Sequence, residues 1–226
     1  MNQAADAAPD TLRISMDAKA TVKVGPFSRG GKRRVPPQAA DHDFQPLAKG
    51  TPVGIFLPDS DELFLYGVTS KVTSDCLADR LVAWWEHVRE RFPHITTLVI
   101  NLDNGPENHS RRTQFLYRMV QFAQTSGLAV RLAYYPPYHS KYNPIERCWG
   151  ILEQHWNGAL LDTVDTLLQF AATMTWKGRP PLVDLVTTAD KTGVKLMHEA
   201  MAALETQVTR LPKLEKWVVD IVPTER

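Results

Sequence analysis

Three acidic residues stand where a chain commonly stops being a strand or begins a helix. Asp17 ends the short strand-like run Thr11 to Met16, and Asp103 follows the apolar, β-branched run Thr97 to Leu102. Glu146 is the second residue after Pro144, in a helix opened by Asn143-Pro144. Ends of this kind can meet along one sheet edge although they are distant in sequence. Carboxylates are hard oxygen ligands suited to Mg²⁺ or Mn²⁺, and two such ions about 3.5–4 Å apart can clamp the attacking and leaving oxygens of a phosphodiester. The expectation is therefore a two-ion site in which Asp17 bridges the ions and Asp103 and Glu146 each complete one shell. Each acid alone is ordinary: a turn residue at Asp17, a tight Asp-Asn-Gly turn at Asp103, a helix-start acid favoured by the macrodipole at Glu146. The three together carry the inference.

Polar residues cluster around these acids. Asn104 and Asn143 are expected to cap and fix the two carboxylate-bearing turns. His109, His139 and Lys141 could contact a phosphate or the DNA backbone, although loop histidines are more often simply solvated. Glu107 and Glu153 are rival acids, Glu153 lying two helical turns beyond Glu146. The formal net charge of +1 does not announce a nucleic-acid binder, so distribution matters more than the sum. Arg29, Lys32, Arg33 and Arg34 lie within six positions on a Gly-Gly hinged stretch just after the first acid. That is a candidate phosphate-contacting element.

The wording of the motifs is distinctive. INLDNGPEN followed by YYPPYHSKYNPIERCWG resembles the second and third catalytic motifs of DDE transposases, in the mariner-like and bacterial insertion-sequence branch. MDAKATVKVGPFSRGGKRR, TMTWKG and LPKLEKWVVDI are similar to the group known as the Rhodopirellula transposase DDE domain, and the resemblance runs from about Ile14 to Val222. It implies an RNase H-like core that cuts and joins DNA with two Mg²⁺ or Mn²⁺ ions. The partners it implies are double-stranded DNA, both transposon ends and target, and a second copy of the chain in synapsis. Two features depart from the pattern. Asp103 and Glu146 are 43 positions apart, longer than is usual in the mariner-like branch, and only 16 residues precede Asp17, where full-length relatives carry helix-turn-helix modules. A catalytic-domain fragment is expected. Other readings are a catalytically idle remnant that binds DNA or subunits, and a host RNase H-like nuclease.

The elements that must position the acids read as follows. After the strand Thr11 to Asp17 come Thr51 to Leu57 and Glu62 to Thr69, joined by the turn Pro58-Asp59-Ser60-Asp61. A helix capped by Ser74 then carries Leu77, Leu81, Trp84, Val88 and Phe92 on one stripe. Strand Thr97 to Leu102, helix Arg111 to Ser126, strand Leu128 to Tyr135 and the helix from Ile145 complete a β-β-β-α-β-α-β-α order. The fold class expected is thus α/β, an RNase H-like fold with a mixed five-stranded sheet flanked by helices and a C-terminal helical extension. Residues 1–10 are expected to be disordered, 11–158 to form the catalytic domain, and 159–226 to form the extension, with helices around Val164 to Thr175 and Lys191 to Arg210. Ala18 to Gly50 reads as a long functional loop. Trp84-Trp85 reads as core, and Cys76 and Cys148, with no CxxC spacing, read as two buried thiols. No apolar run approaches a membrane span and the first ten residues lack signal-peptide character, so a cytoplasmic, nucleoid-associated protein is expected.

Overall fold

Successive side chains of a strand point to opposite faces, and this alternation decides where the first acid goes. In the computed structural model, which describes residues 1–27, 46–136, 139–194, 196 and 198–223, β1 spans Thr11–Ala18. Its Leu12, Ile14 and Met16 enter one core cluster. Ser15 and Asp17 face the other way, where both make hydrogen bonds to a helix described below. β5 (Thr97–Leu102) lies parallel beside β1 and repeats the division: Leu98, Ile100 and Leu102 join the same cluster, while Val99 faces the opposite side.

Around this pair the sheet grows as expected. β3 (Ala48–Leu57) runs antiparallel to β1, β4 (Glu62–Val68) antiparallel to β3, and β6 (Ala129–Tyr134) parallel to β5. On the face of Ile14 and Ile100, α2 (Ser74–Val88) and α3 (Thr113–Ser126) pack Leu81, Trp84, Phe115 and Met119 into the cluster. Each such side chain stabilises the fold by about 1.5–3 kcal/mol when fully buried. The opposite face is covered by α4 (Ile145–His155) and α5 (Val164–Thr173), through Ile145, Trp149, Leu152, Trp156 and Leu167. Trp84, Trp85, Cys76 and Cys148 are all buried, and both thiols are free.

Several elements differ from the expectation, each because tertiary contacts outweigh a weak local signal. Where a disordered start was expected, Asn2–Ala7 forms α1. This one-and-a-half-turn helix is too short to persist alone, and is held by Ala5 against Val99 and Ala133 and by a 2.6 Å Arg13–Asp6 ion pair. α2 is capped by Thr73, whose Oγ1 accepts from Cys76 N–H at 3.0 Å, with Ser74 as first helical residue. Within the expected loop 18–50, β2 (Val22–Val24) pairs with β3. The C-terminal segment is more than a helical extension. Beside α5 and a short α6 (His198–Glu205) it supplies β7 (Leu182–Val186), parallel to β4 at one edge, and β8 (Val208–Arg210) and β9 (Val218–Ile221), which extend the other edge from β6. Edges of a five-stranded sheet leave backbone donors and acceptors unpaired, and these strands satisfy them. Among the described residues the sheet has nine strands, and no helix is long and apolar enough to cross a membrane.

Candidate active site

The parallel register of β1 and β5 sets Ser15 opposite Asn101. Carried two residues further, it brings Asp17 level with Asp103 at the carboxyl ends of neighbouring strands. Asp103 Oδ1 accepts hydrogen bonds from Gly105 N–H at 3.1 Å and from Asn108 Nδ2 at 2.9 Å. The loop that folds back to make these bonds needs two special residues. Asn104 adopts a left-handed conformation (φ 65°) and its Oδ1 accepts from Ser110 N–H at 3.1 Å. Gly105 passes so close that a Cβ there would stand 3.1 Å from Asp103 Oδ2 and 3.2 Å from Asn108 Oδ1. Asp17 is held from the other side: the Trp149 indole N–H donates to its Oδ2 at 2.7 Å, and the residue is only 6% exposed.

Helix α4 reaches this point because the sheet makes room for it. Asn143, fully buried, accepts a short hydrogen bond from the Ser15 hydroxyl, and Ser15 Oγ in turn accepts from Ile145 N–H at 3.3 Å. The start of α4 is thereby tied to β1 two residues before Asp17. Across the sheet, the register partner of Asp17 is Gly54 on β3. A Cβ at 54 would lie 2.7 Å from both Ile145 Cδ1 and the Trp149 ring, so glycine is what lets α4 approach.

The three acids act on one another. Burial, then the charge of Asp103, then that of Glu146 push the Asp17 carboxyl up to about 7, against the pull of the Trp149 hydrogen bond. Burial and the charge of Asp103 also raise Glu146, opposed by Lys19. Asp17 and Asp103 line one cavity of about 720 Å³, together with Lys19, Lys23, Lys49 and Lys71. Glu146 is half-buried beside it, one turn before Trp149 on α4, and does not line it. Among the described residues, no three His, Cys, Asp or Glu side chains stand close enough together to hold one metal ion.

Of the remaining candidates, His109, His139 and Lys141 do not line the cavity, whereas Glu107 does. His109 Nδ1 accepts from Arg111 N–H at 3.2 Å, with its pKa lowered by burial and then by Arg112. His139 stacks on Tyr142, and Lys141 lies 5.3 Å from the same ring, both exposed. Arg29, Lys32, Arg33 and Arg34 lie outside the described residues. The rival acids have cationic partners: Glu107 pairs with Arg112 at 3.2 Å and Glu153 with Lys19 at 2.9 Å.

With this geometry established, comparison with known proteins places the chain. The Rhodopirellula transposase DDE domain matches residues 1–223. The chain belongs to that family. Its fold is similar to two solved structures of Mos1 transposase. One is a paired-end complex with the left transposon end (10% identity, TM-score 0.51), the other a Mos1 mariner paired-end complex with Mn (11% identity, TM-score 0.50). Each match covers 70% of this chain and 46% of the Mos1 chain, so the chain corresponds to under half the length of those transposases. The likeness is one of fold, and the fold of this DDE domain is RNase H-like, a large mixed sheet flanked by helices. None of the curated proteins matches the sequence.

DDE transposases use divalent metal ions, and the residues here suit them in kind. Two carboxylates with mutually unfavourable charge stand in one cavity, and Asn108 Oδ1 is buried in its wall with no hydrogen-bond partner among the described residues. A buried oxygen acceptor of this sort wants a cation or a donor. Reading the sequence assigned Trp149 to the core, which is right for its ring, but missed its N–H on Asp17. It also passed over Lys19 and Gly54, and it placed Gly105 in the Asp103 turn and Asn108 near that acid without the bonds they make to it. Lys19, two residues after Asp17, and Trp149, one turn after Glu146, had a spacing that could have drawn attention to them.

Proposed function

We propose that this domain cuts DNA strands at the ends of an insertion element and joins the freed 3′ ends to target DNA by in-line phosphoryl transfer. The observation that carries this reading is that Asp17 and Asp103, at the carboxyl ends of adjacent parallel strands, line one cavity together with four lysines, in a chain of this family. Asp17, Asp103 and Glu146 would hold two Mg²⁺ or Mn²⁺ ions, with Glu146 moving inward as its helix adjusts. When bound, the ions would supply a lowered pKa for the attacking hydroxyl and positive charge at the reacting phosphate. The chain's own part is to fix Asp103 through Gly105 and Asn108, to fix Asp17 through Trp149, and to lay the phosphate backbone along Lys19, Lys49 and Lys71. His109, His139 and Lys141 would contact DNA farther from the cut, and Arg29, Lys32, Arg33 and Arg34 would bind its phosphates. Joining two ends calls for two such sites, so the working form would be a homodimer on DNA.

A second reading, a catalytically idle relative that only binds DNA or other subunits, is favoured by one observation: Glu146 stands outside the cavity lining. Nicking of supercoiled plasmid by the full chain in Mn²⁺, beside Asp103→Asn, tests the two. Nicking by the wild type that vanishes in the variant supports the first. Absence of nicking, together with no Mn²⁺ heat in calorimetry, supports the second.

A further inference from the structure

At Asp17, strand β1 and helix α4 are joined by a 2.7 Å bond from the Trp149 indole N–H to Asp17 Oδ2. Both partners are buried, Trp149 to 4% exposure and Asp17 to 6%. A buried indole needs an acceptor, but a carboxylate that shares its cavity with a second acid is a costly one to supply. The arrangement is also built for closeness. Asp17 has Gly54 as its register partner, and any side chain there would collide with the Trp149 ring at 2.7–2.9 Å. Trp149 stands three residues after Glu146, on the neighbouring turn of α4. The same bond therefore links the strand that carries the first acid to the helix that carries the third.

We infer that Trp149 is a positioning residue of the metal site. Its N–H ties down Oδ2 of Asp17 and so fixes the orientation of that carboxylate beside Asp103, and it sets the height of α4 on the sheet and so the reach of Glu146. Gly54 is the recess that makes this possible. Hydrogen bonds that orient a ligating side chain typically change metal affinity by about 10–100-fold when removed. A tryptophan that only filled space would not show that effect, because phenylalanine keeps the buried ring and loses the donor.

This inference rests on the reading of Asp17, Asp103 and Glu146 as metal-holding acids, and the test separates the two. Mn²⁺ is titrated by calorimetry into the full-length wild type, Trp149→Phe, Gly54→Ala and Asp103→Asn, each checked for cooperative thermal unfolding. The expected result is binding by the wild type that is lost in Asp103→Asn and weakened about 10–100-fold in both Trp149→Phe and Gly54→Ala. Wild-type affinity in a folded Trp149→Phe, with binding still lost in Asp103→Asn, overturns the role of Trp149 and leaves the acids in place. No binding by the wild type overturns both. Should Trp149→Phe not fold, the indole ¹⁵N–¹H resonances of the wild type decide the matter. The Trp149 resonance, assigned by its NOEs to Ile145 and Gly54, must shift on adding Mg²⁺, and a resonance indifferent to Mg²⁺ overturns the inference.

Discussion

The two aspartates and the glutamate reach the same neighbourhood by different means. Asp17 and Asp103 are placed by the sheet: adjacent parallel strands in fixed register, with Asp103 further clasped by Gly105 and Asn108. Glu146 is placed by a helix, and that helix is placed by a few contacts to β1 and β3, namely Ser15 with Asn143 and Ile145, Gly54, and Trp149 on Asp17. Among the described residues, its carboxylate has no hydrogen-bonding or ion-pair partner. A sheet register cannot shift by one residue without turning its core face to solvent, whereas a helix can tilt or slide on a packed surface at lower cost. In the proposed site the aspartate pair would therefore be the rigid part, and Glu146 the part that would move to complete it.

The largest effect expected concerns the acids themselves. Asp103→Asn should abolish plasmid nicking and weaken Mn²⁺ binding by more than the roughly 100-fold upper range seen when only a ligand's supporting bond is lost. Glu146→Gln should also abolish nicking but keep one Mn²⁺ per chain by calorimetry, since the rigid pair remains. Equal loss of both ions in the two variants would erase the distinction between sheet-held and helix-held acids.

The next effect is on stability. With its carboxyl raised to about 7 in the folded chain and near 3.8 when unfolded, Asp17 binds more protons folded than unfolded between those values. Its contribution is fully present below about pH 3.8 and is lost as pH rises through 7, by up to roughly 4 kcal/mol. In chelator at pH 8, Asp17→Asn should therefore melt above the wild type. Saturating Mn²⁺ should reverse the order, adding about 2.7 kcal/mol to the wild type at 100 times its Kd. A wild type whose melting point is flat from pH 4 to 8 would count against the uncompensated pair.

Smaller effects probe each support separately. Gly54→Ala should cost about 1–3 kcal/mol by urea unfolding, through overpacking against Ile145 and Trp149, and should disturb Glu146 rather than Asp103. Gly105→Ala presses instead on Asp103 and Asn108 at 3.1–3.3 Å, so it should weaken Mn²⁺ binding and cost about 1 kcal/mol or less, with α4 undisturbed. Glu153→Gln, which releases Lys19 from a half-exposed ion pair, should change stability by about 1 kcal/mol at most. Its effect should appear as tighter, more salt-sensitive DNA binding in a filter assay.

Much of this was legible in the sequence, because strands and helices that bury one face announce themselves by period. The run Thr97 to Leu102 is β5 to the residue, and Ile145, Trp149, Leu152 and Trp156 form the buried stripe of α4 as their spacing requires. Asp17, Asp103 and Glu146 were singled out from where those periods stop and from the wording of the motifs, and the structure sets Asp17 and Asp103 in one cavity. The signal failed where a segment is ordered by its neighbours: α1 is six residues long, and β7 and β9 are short strands recruited by edges far away in sequence, with β8 added to β9. No local pattern encodes an edge that another part of the chain leaves open.

The amino-acid sequence alone thus determined the family, through the wording of its motifs, and the central β-α order, because burial periodicity and turn chemistry are local properties. Only the tertiary structure decided that Asp17 and Asp103 stand level in one cavity, that Gly54 admits Trp149 to Asp17, and that Glu146 waits at its margin. Those facts depend on register, close approach and the mutual repulsion of charges, which exist only once distant segments are packed together.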